Sequence, residues 1–409
     1  MVENEELLNA PKISNIREIN IYPDHDELMK TDDEIYLRPI IVKGAYNNMD
    51  HYIDVLFRLT REDYMRPLRQ GVQNHISENP GRVSEVHLYK DLRIGPPETS
   101  RSGIVWTIYF DQSKHNWQGS KRLIFGSLLL ISHDNFSSNG MLVATVVDND
   151  RRKKGEIMIQ LFRGNLNPRL TYKMLESSAY FEPYNRILRR IQDPEFKNMP
   201  FQQYLVRQLK NDTEVLQHQP NLARYLRNQE AVYDLTALMK PEYLNWDENL
   251  GKGIHILNEH WTNEEYMALN GSQLKAVKSA LSHELSVIQG PPGTGKTYVA
   301  LKVVKCLLDN SKFWYGDRGC PILVVCYTNH ALDHFLEGIV PMVPEKIVRI
   351  GAQSKSEILQ PVNLSKLTPF FRTHTLFYHK YGSRVYLFLH HFFAFLHNFF
   401  CSKKLFAKF

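Results

Sequence analysis

An anion-binding loop is encoded by residues 290–297, which read Gly-Pro-Pro-Gly-Thr-Gly-Lys-Thr. The run fits a pattern that cradles phosphates: a glycine, four residues and then Gly-Lys-Thr. Glycines let backbone N–H groups face an anion, and the N-terminus of a following helix adds partial positive charge. The lysine of such a loop reaches the outer phosphates, and the threonine hydroxyl ligates Mg²⁺. The chemistry indicated is the binding of a nucleoside triphosphate with Mg²⁺.

The surroundings of this loop match what the pattern requires. Residues 285–289 are short and apolar enough for a buried strand, and residues 299–308 place apolar side chains at helical spacing. An ordinary Gly/Pro turn is the alternative, which the full match in the right context disfavours. The residues assigned to the phosphates are Gly290, Gly293, Thr294, Gly295, Lys296 and Thr297. Lys296 and Thr297 are also the catalytic candidates, and Thr297 is the predicted Mg²⁺ ligand.

A polar segment also follows the next apolar run along the chain. Residues 321–326 predict a buried strand, and Tyr-Thr-Asn-His-Ala-Leu-Asp follows directly at 327–333. Residues 346–350 predict a third strand. Strands separated by helices predict a parallel sheet with right-handed crossovers. Because ligands collect at the carboxyl ends of such strands, one sheet edge is expected to hold both a triphosphate and a second substrate.

Composition places the chain among globular proteins. Its 409 residues suggest two or three domains, and 43% are hydrophobic and 23% charged. A net charge of +6 is compatible with a nucleic-acid partner but is not diagnostic of one. The four cysteines form no CxxC pair and no zinc spacing, which indicates reduced thiols in an intracellular protein. The acidic N-terminus predicts no signal peptide.

The elements that precede the loop change their periodicity along the chain. Four runs rich in β-formers, at 104–110, 122–131, 141–147 and 157–162, predict a small antiparallel barrel or sandwich. The predicted domains are a polar leader 1–40, a helical segment 41–102, a small β-barrel-like subdomain 103–165, a helical stalk and connector 166–260, half of a P-loop domain 261–366 and an atypical aromatic tail 367–409.

Two basic clusters have both a structural and a functional interpretation. Arginines between 58 and 69 are interleaved with an apolar helical face, and a solvated face is favoured over phosphate contacts. Arginines between 186 and 190 lie on another helical face than an aromatic stripe that is typical of a core. Residues 148–155 join the last two predicted strands and end in a run of four basic residues before Gly155. This tip could contact a phosphate backbone, although a solvated hairpin tip is slightly favoured.

Two motifs that flank the loop resemble those of one class of P-loop protein. Leu269-Asn270-x-x-Gln273 resembles the adenine-reading glutamine motif of superfamily 1 helicases, and a glutamine amide can donate to and accept from an adenine edge. Residues 324–333 resemble motif Ia of that superfamily, whose Thr/Asn end contacts the nucleic-acid backbone. Their order resembles the nonsense-mediated-decay type of helicase. Residues 15–366 resemble more narrowly its NFX-type zinc-finger-containing members.

This resemblance implies an α/β fold, in which an incomplete RecA-like parallel sheet follows a helical stalk and a small antiparallel β-barrel. It also implies an ATP-dependent helicase or NTP hydrolase with ATP and Mg²⁺ as cofactors, in which Gln273 reads adenine and Thr328 and Asn329 hold the strand. The implied partner is RNA or another single-stranded nucleic acid, together with ribonucleoprotein granule proteins. RNA surveillance, antiviral defence and small-RNA silencing are the implied pathways. The implied location is the cytoplasm, with the nucleus and RNA granules as further places.

The sequence departs from the family in ways that keep alternatives open. The family needs a Walker B Asp-Glu and a second RecA-like domain, yet no apolar run after Thr297 ends in Asp-Glu, and zinc fingers are missing. We therefore expect an N-terminal piece of a longer protein with little hydrolysis or unwinding of its own. One alternative is a non-catalytic RNA-binding or scaffold fragment with a vestigial nucleotide site. Another is an AAA-type remodelling ATPase, which the missing Asp-Glu strand disfavours.

The tail leaves the pattern of the rest of the chain. Residues 385–400 are apolar but contain three histidines and an asparagine. A membrane span needs about 20 residues with few polar ones, so no span is favoured. His390, His391 and His397 lack a matching set of ligands, which disfavours a metal site. We expect this tail to be foreign to the fold, from a truncated or misread gene model.

Overall fold

The computed structural model describes residues 15–367, apart from short gaps. The gaps are 43, 78–85, 101–102, 114–115, 118–119, 138–139, 207–220, 228–231, 259–260, 315–320, 344–345, 352–353 and 365. The described residues form two compact units, 15–206 and 221–367. Within these ranges no helix combines the length and the apolar character that a bilayer crossing needs. The predictions for the tail fall outside the described residues.

A closed antiparallel barrel of six strands is the centre of the first unit, in the order β1-β2-β5-β4-β3-β6. The strands are β1 (Val86–Ser100), β2 (Gly103–Tyr109), β3 (Leu128–Ser132), β4 (Met141–Asp148), β5 (Glu156–Leu161) and β6 (Tyr172–Ser177). Alternate side chains fill the interior, and Leu92, Ile108, Leu129 and Ile159 are fully buried there. Closure pairs each strand on both sides and removes exposed strand edges.

The barrel has two more strands than the sequence predicted. The four predicted runs correspond to β2–β5, although the run 122–131 pairs as a strand only from Leu128 onward. Strands β1 and β6 were missed. β1 contains two prolines and shifts its register between Ile94 and Pro97, where a bulge tolerates residues without an N–H donor. β6 carries a buried glutamate among its apolar side chains, which hides the alternation of a strand.

Helices cover one outer face of this barrel. They are α1 (His25–Met29), α2 (Met49–Ile76), α3 (Phe181–Gln192) and α4 (Gln202–Leu205). α2 begins where the Asn48 side chain accepts a hydrogen bond from the His51 N–H, as expected of a helix cap. Fully buried Phe57 and Tyr64 on α2 share one core with Phe181 on α3.

The arginines of α2 are structural rather than a solvated face. Arg61 donates to Glu27 at 2.7 Å and Arg69 donates to Glu62 at 2.7 Å, and both arginines are buried. Further ion pairs of this helix include Arg58–Asp54 and Arg66–Asp32. Because these charges are matched within the unit, the helix offers no array of free arginines for phosphate contacts. The prediction of a solvated face was wrong for Arg61 and Arg69.

A buried carboxyl group in the barrel gives a pH prediction. Glu176 is 2% exposed, accepts hydrogen bonds from the Tyr89 hydroxyl and the Leu123 N–H, and its burial raises its pKa. The folded protein therefore holds the Glu176 proton to a higher pH than the unfolded chain does. Its stabilising contribution is present below the unfolded pKa and is lost as the pH rises through the folded pKa.

We therefore expect the free energy of unfolding to fall more steeply with rising pH above about 4.5 in the wild type than in Glu176→Gln. Urea unfolding at a series of pH values measures both slopes, and their difference removes the contribution of groups common to both proteins. Glu156→Gln, which removes a carboxylate of the same barrel that pairs with exposed Arg151, is the control for the loss of one carboxyl group. Equal slopes for wild type and Glu176→Gln would contradict the assignment.

The second unit combines helices with long irregular segments. Its helices are α5 (Pro241–Leu244), α6 (Gly271–Ser282), α7 (Lys296–Asp309), α8 (Ser311–Trp314) and α9 (Asn329–Ile339). Val277 and Leu281 of α6 pack with Val299 of α7 in one buried cluster. Leu332 of α9 and Val304 of α7 belong to a second buried cluster.

The predicted parallel sheet is not formed by the described residues. Residues 285–290 and 321–326 have no strand assignment, and the one parallel bridge described joins Arg349 to Asn363. An apolar run becomes a strand only when a neighbour supplies ladder hydrogen bonds, and no described segment does so here. The helices predicted to follow the first two runs are present as α7 and α9.

Candidate nucleotide and nucleic-acid sites

The glutamine motif forms a capping box at the start of α6. The Asn270 side chain accepts a hydrogen bond from the Gln273 N–H at 2.9 Å, and the Gln273 Oε1 accepts one from the Asn270 N–H at 3.2 Å. The other end of the same amide, Nε2, donates to the Thr294 carbonyl of the phosphate loop at 3.1 Å. Gln273 therefore links the start of α6 to the loop. Its predicted contact with adenine stays a prediction.

Two glycines of the loop have conformations that side chains disfavour. Gly293 has a φ of +81° and Gly295 a φ of +82°, in the left-handed region. A Cβ added at Gly295 would lie 2.7 Å from the Gln273 Nε2, and one at Gly290 would lie 2.9 Å from the Thr294 Oγ1. The loop therefore needs glycine at positions 293 and 295 for its backbone turn, and Gly290 and Gly295 allow the Thr294 and Gln273 side chains to approach closely.

Lys296 folds its side chain back over this loop. Its Nζ donates to the carbonyl oxygens of Gly290 and Pro291, each at 2.8 Å, and no carboxylate among the described residues pairs with it. An ammonium group held by two neutral carbonyls can exchange them for charged phosphate oxygens, which form stronger bonds. The neighbouring Thr297 side chain is exposed and can reach a ligand. The Lys296 ammonium and the Thr297 hydroxyl fit a nucleoside triphosphate with its Mg²⁺.

Packing and polar contacts fix α7 behind the loop. The Tyr298 hydroxyl donates to the Ala268 carbonyl at 3.2 Å, and the Lys302 ammonium donates to the Ala237 carbonyl. At the far end, the Asn310 side chain donates to the Asp234 carbonyl at 2.7 Å. The helix N-terminus that faces the loop therefore has a defined position, as an anion site requires.

The second predicted site lies at the start of α9. The Thr328 Oγ1 accepts a hydrogen bond from the Ala331 N–H at 3.1 Å and so caps the helix. The next side chain, Asn329, accepts a hydrogen bond through Oδ1 from the Arg349 Nη2 at 3.1 Å. Both residues are exposed to solvent. Their predicted contacts with a nucleic-acid strand stay predictions, and the structure adds these intramolecular roles.

A buried ion pair, which the sequence analysis missed, supports this helix start. Arg349 is fully buried, and its guanidinium donates to the Asp333 carboxylate at 2.8 Å and to the Gly351 carbonyl at 2.6 Å. The second Asp333 oxygen accepts a hydrogen bond from the Ser354 hydroxyl at 2.8 Å. The available signal was an arginine inside the run 347–350, which is otherwise apolar.

The basic tip between β4 and β5 is partly structural. The Arg152 guanidinium donates to the carbonyls of Arg122 at 2.7 Å and Ser120 at 3.1 Å, so it clamps a neighbouring turn. Lys153 and Lys154 are exposed. The contact of this tip with phosphate stays a prediction.

Two family profiles match this chain. The one described as ZNFX1 domain covers residues 81–178, and the one described as AAA domain covers residues 268–375. The first range contains the barrel, and the second contains the capping box, the phosphate loop and α9. NFX1-type zinc finger-containing protein 1 of Homo sapiens is 38% identical over an alignment of 380 positions, which covers 87% of this chain and 19% of the human protein.

Helicases are also among the relatives. Helicase required for RNAi-mediated heterochromatin assembly 1 of Schizosaccharomyces pombe is 32% identical, over 87% of this chain and 34% of its own length. Regulator of nonsense transcripts 1 of Caenorhabditis elegans is 42% identical over 87 residues, which are 21% of this chain and 7% of that protein. The chain belongs to the superfamily 1 helicases. Within them it is of the nonsense-mediated-decay type and similar to the NFX1-type proteins.

The family assignment confirms the resemblance inferred from the glutamine motif, the phosphate loop and motif Ia. The chain spans about a fifth of the length of the human relative. A helicase that matches 87% of this chain favours the helicase interpretation over the AAA-type remodelling ATPases considered above. For a superfamily 1 helicase, nucleotide and nucleic acid are the ligands against which these geometries are to be tested.

Proposed function

We propose that this chain is the ATP-binding and RNA-binding part of a superfamily 1 helicase. The observation that carries the proposal is the phosphate loop, in which two left-handed glycines precede a helix and Lys296 is held only by carbonyl oxygens. This arrangement supports the binding of a triphosphate because each donor can turn to an anion without breaking an ion pair. ATP bound there with Mg²⁺ would supply the phosphoryl group that is transferred to water.

The chain's own residues would have distinct roles in this site. Lys296 would release the Gly290 and Pro291 carbonyls and donate to the outer phosphates, while the backbone N–H groups of the loop donate to the inner ones. The Thr297 hydroxyl would ligate Mg²⁺. Gln273 sits beside the loop through Thr294, from where its amide would read the adenine edge.

We also propose that residues 285–290 and 321–326 become strands of a RecA-like parallel sheet when neighbouring segments supply their ladder hydrogen bonds. Val287 is 79% exposed and Leu323 is 41% exposed, which is unusual for apolar side chains in runs of this type. Burial in such a sheet would remove both from water. Catalytic turnover needs a carboxylate that activates water as a general base and arginines that stabilise the γ-phosphate, so we expect this chain alone to turn over ATP slowly.

The nucleic-acid part of the proposal rests on the start of α9 and on the relatives. The backbone N–H groups of a helix N-terminus are suited to phosphate oxygens, and Thr328 and Asn329 lie there in solvent. Two relatives carry the words RNAi and nonsense transcripts in their names. RNA is therefore the proposed strand, with RNA surveillance or silencing as the process and the cytoplasm or RNA granules as the location.

A second candidate function is an RNA-binding scaffold with a vestigial nucleotide site. It is favoured by the fact that Lys296 and both ends of the Gln273 amide already have partners within the chain. In that case the contacts of Lys296 and Gln273 with the loop carbonyls would be permanent, and no nucleotide would replace them.

Titration of the purified chain with a fluorescent ATP analogue and Mg²⁺ separates the two functions. We expect saturable binding that unlabelled ATP competes away, because the Lys296 ammonium has only carbonyl partners, which it can exchange for charged phosphate oxygens. Circular dichroism should first establish that the sample is folded. Absence of saturable binding in a folded sample would favour the scaffold and contradict the nucleotide site.

A further inference from the structure

A tryptophan side chain lies largely in solvent just after α5. Trp246 is 83% exposed, the highest value for a phenylalanine, tyrosine or tryptophan among the described residues. Tryptophan has one of the largest apolar areas of any side chain, and proteins usually bury most of it. Where it is left exposed on an ordered surface, it is a frequent anchor of protein–protein contacts. Neither the proposed nucleotide site nor the proposed strand site uses this residue.

The turn that carries Trp246 is ordered by hydrogen bonds and packing. The Trp246 and Asp247 N–H groups both donate to the Tyr243 carbonyl, at 3.1 and 2.9 Å. Leu244 before the turn and Leu250 after it pack against the buried cluster of α6 and α7. A side chain displayed from a backbone held in this way loses less conformational entropy on binding than one in a mobile loop. The indole is therefore presented to solvent from a defined position.

The residues beside this indole carry negative charge, in a chain whose net charge is +6. Three exposed carboxylate residues lie within four positions of it, and none forms an ion pair with another described residue: Glu242, Asp247 and Glu248. The flanking lysines do not neutralise them, because Lys240 donates to the Glu265 carbonyl at 2.7 Å and Lys252 to the Asn249 side chain at 3.4 Å. This segment therefore attracts cations and repels phosphate, so a nucleic-acid strand is not the ligand that it suits.

Arginine is the cation that best suits an indole flanked by carboxylates. Its planar guanidinium can stack on the face of an aromatic ring, and its fork of N–H groups can donate to carboxylates in pairs. Lysine instead has a compact ammonium, which binds a carboxylate as a point charge. Trp246 supplies the aromatic face, and Asp247 and Glu248, which follow it directly, supply the acceptors.

We propose that Trp246 and the carboxylates beside it form a docking site for arginine-rich segments of other proteins. One arginine of the partner stacks on the indole, and its neighbours pair with Glu242, Asp247 and Glu248. Because single exposed contacts of these types are weak, the site needs a segment that offers several arginines in succession. The proposal goes beyond the proposed function and is independent of it, since it uses no residue of the nucleotide or strand site.

The test is fluorescence anisotropy of a labelled peptide of Arg-Gly-Gly repeats with the full chain. We expect saturable binding by the wild type that weakens as salt rises, because the contacts are ionic and exposed. Trp246→Ala should weaken binding about 2- to 30-fold, which corresponds to the ~0.5–2 kcal/mol of one cation–π contact. Trp246→Phe should lose less, because a ring is kept. Asp247→Asn combined with Glu248→Gln should weaken binding and reduce its salt dependence while the indole stays in place.

Two control peptides and one control variant separate the possible causes. Citrulline in place of each arginine keeps the shape of the side chain but removes its charge, so the wild type should not bind this peptide measurably. A peptide of Lys-Gly-Gly repeats should bind more weakly than the arginine peptide. Tyr327→Ala should bind the arginine peptide as the wild type does. Tyr327 is 69% exposed in the same unit, but no carboxylate residue lies within five positions of it.

The outcomes distinguish this proposal from the proposed function. The thermal unfolding midpoint of Trp246→Ala should equal that of the wild type, because an exposed ring contributes little to stability. Equal affinity of the wild type and Trp246→Ala for the arginine peptide, or no saturable binding by the wild type, would overturn the docking site. Equal binding of the citrulline and arginine peptides would show an apolar partner and overturn the choice of arginine. Fluorescent ATP binding should be unchanged in Trp246→Ala, and its absence from the wild type would contradict the proposed function alone.

Discussion

Lys296→Ala is expected to weaken the binding of a fluorescent ATP analogue with Mg²⁺ by about 10- to 100-fold. The reason is the loss of charge-assisted hydrogen bonds to the outer phosphates, each worth ~1.5–3 kcal/mol. Stability should hardly change, because the two bonds that Lys296 makes in the structure go to loop carbonyls near solvent that water can satisfy. Titration gives the dissociation constant, and thermal unfolding gives the stability.

Lys305→Ala is the matched control for this prediction. Lys305 lies on the same helix and pairs with Asp309, away from the loop. Its loss should leave nucleotide affinity within about twofold of wild type, because the side chain lies away from the loop. Its effect on stability should also be small, since pairs of this kind contribute ~0.3–0.5 kcal/mol to the helix. Unchanged affinity in Lys296→Ala, with Lys305→Ala behaving as wild type, would show that the nucleotide binds elsewhere.

The fold was predictable where local pattern determined it. Four barrel strands could be predicted from runs of β-formers. β1 and β6 lack such a clear pattern, and their pairing with a neighbour on each side in the closed barrel is sufficient to hold them as strands. Pro97 in β1 and Glu176 in β6 would each argue against a strand in isolation. Tertiary pairing overrides these local signals, because a register shift accommodates the proline and the Tyr89 hydroxyl and Leu123 N–H satisfy the carboxyl group.

The candidate site was predictable to a similar extent. The phosphate loop is contiguous in sequence, so its glycines, lysine and threonine could be assigned from spacing alone. The contact of Arg349 with Asn329 joins residues twenty positions apart and depends on how α9 packs, which no local pattern encodes. The exposure of Tyr327 is likewise a property of the folded surface. The sequence therefore identified the chemistry of the phosphate loop, but not the ion pair of Arg349 that supports the start of α9.

Arg349→Met is expected to destabilise the unit 221–367 by about 3–5 kcal/mol. The substitution removes the partner of Asp333, whose side chain is only 10% exposed, and an unmatched buried carboxylate is costly. It also frees the Asn329 side chain, so the start of α9 should lose order and oligouridine affinity should fall. The midpoint of urea unfolding, followed by tryptophan fluorescence, measures the first effect, and anisotropy measures the second.

Two further variants identify the cause of this loss. Arg349→Met combined with Asp333→Leu should recover most of the stability, because replacing both members of a buried pair by apolar side chains is often neutral. It should not recover oligouridine affinity, since Asn329 still lacks its donor. Arg224→Ala removes an arginine that is 86% exposed and 3.9 Å from Glu284 in the same unit, and should cost less than about 0.5 kcal/mol. If the double variant were as unstable as Arg349→Met alone, the unmatched charge of Asp333 would not be the cause, and the support of α9 would have to come from packing instead.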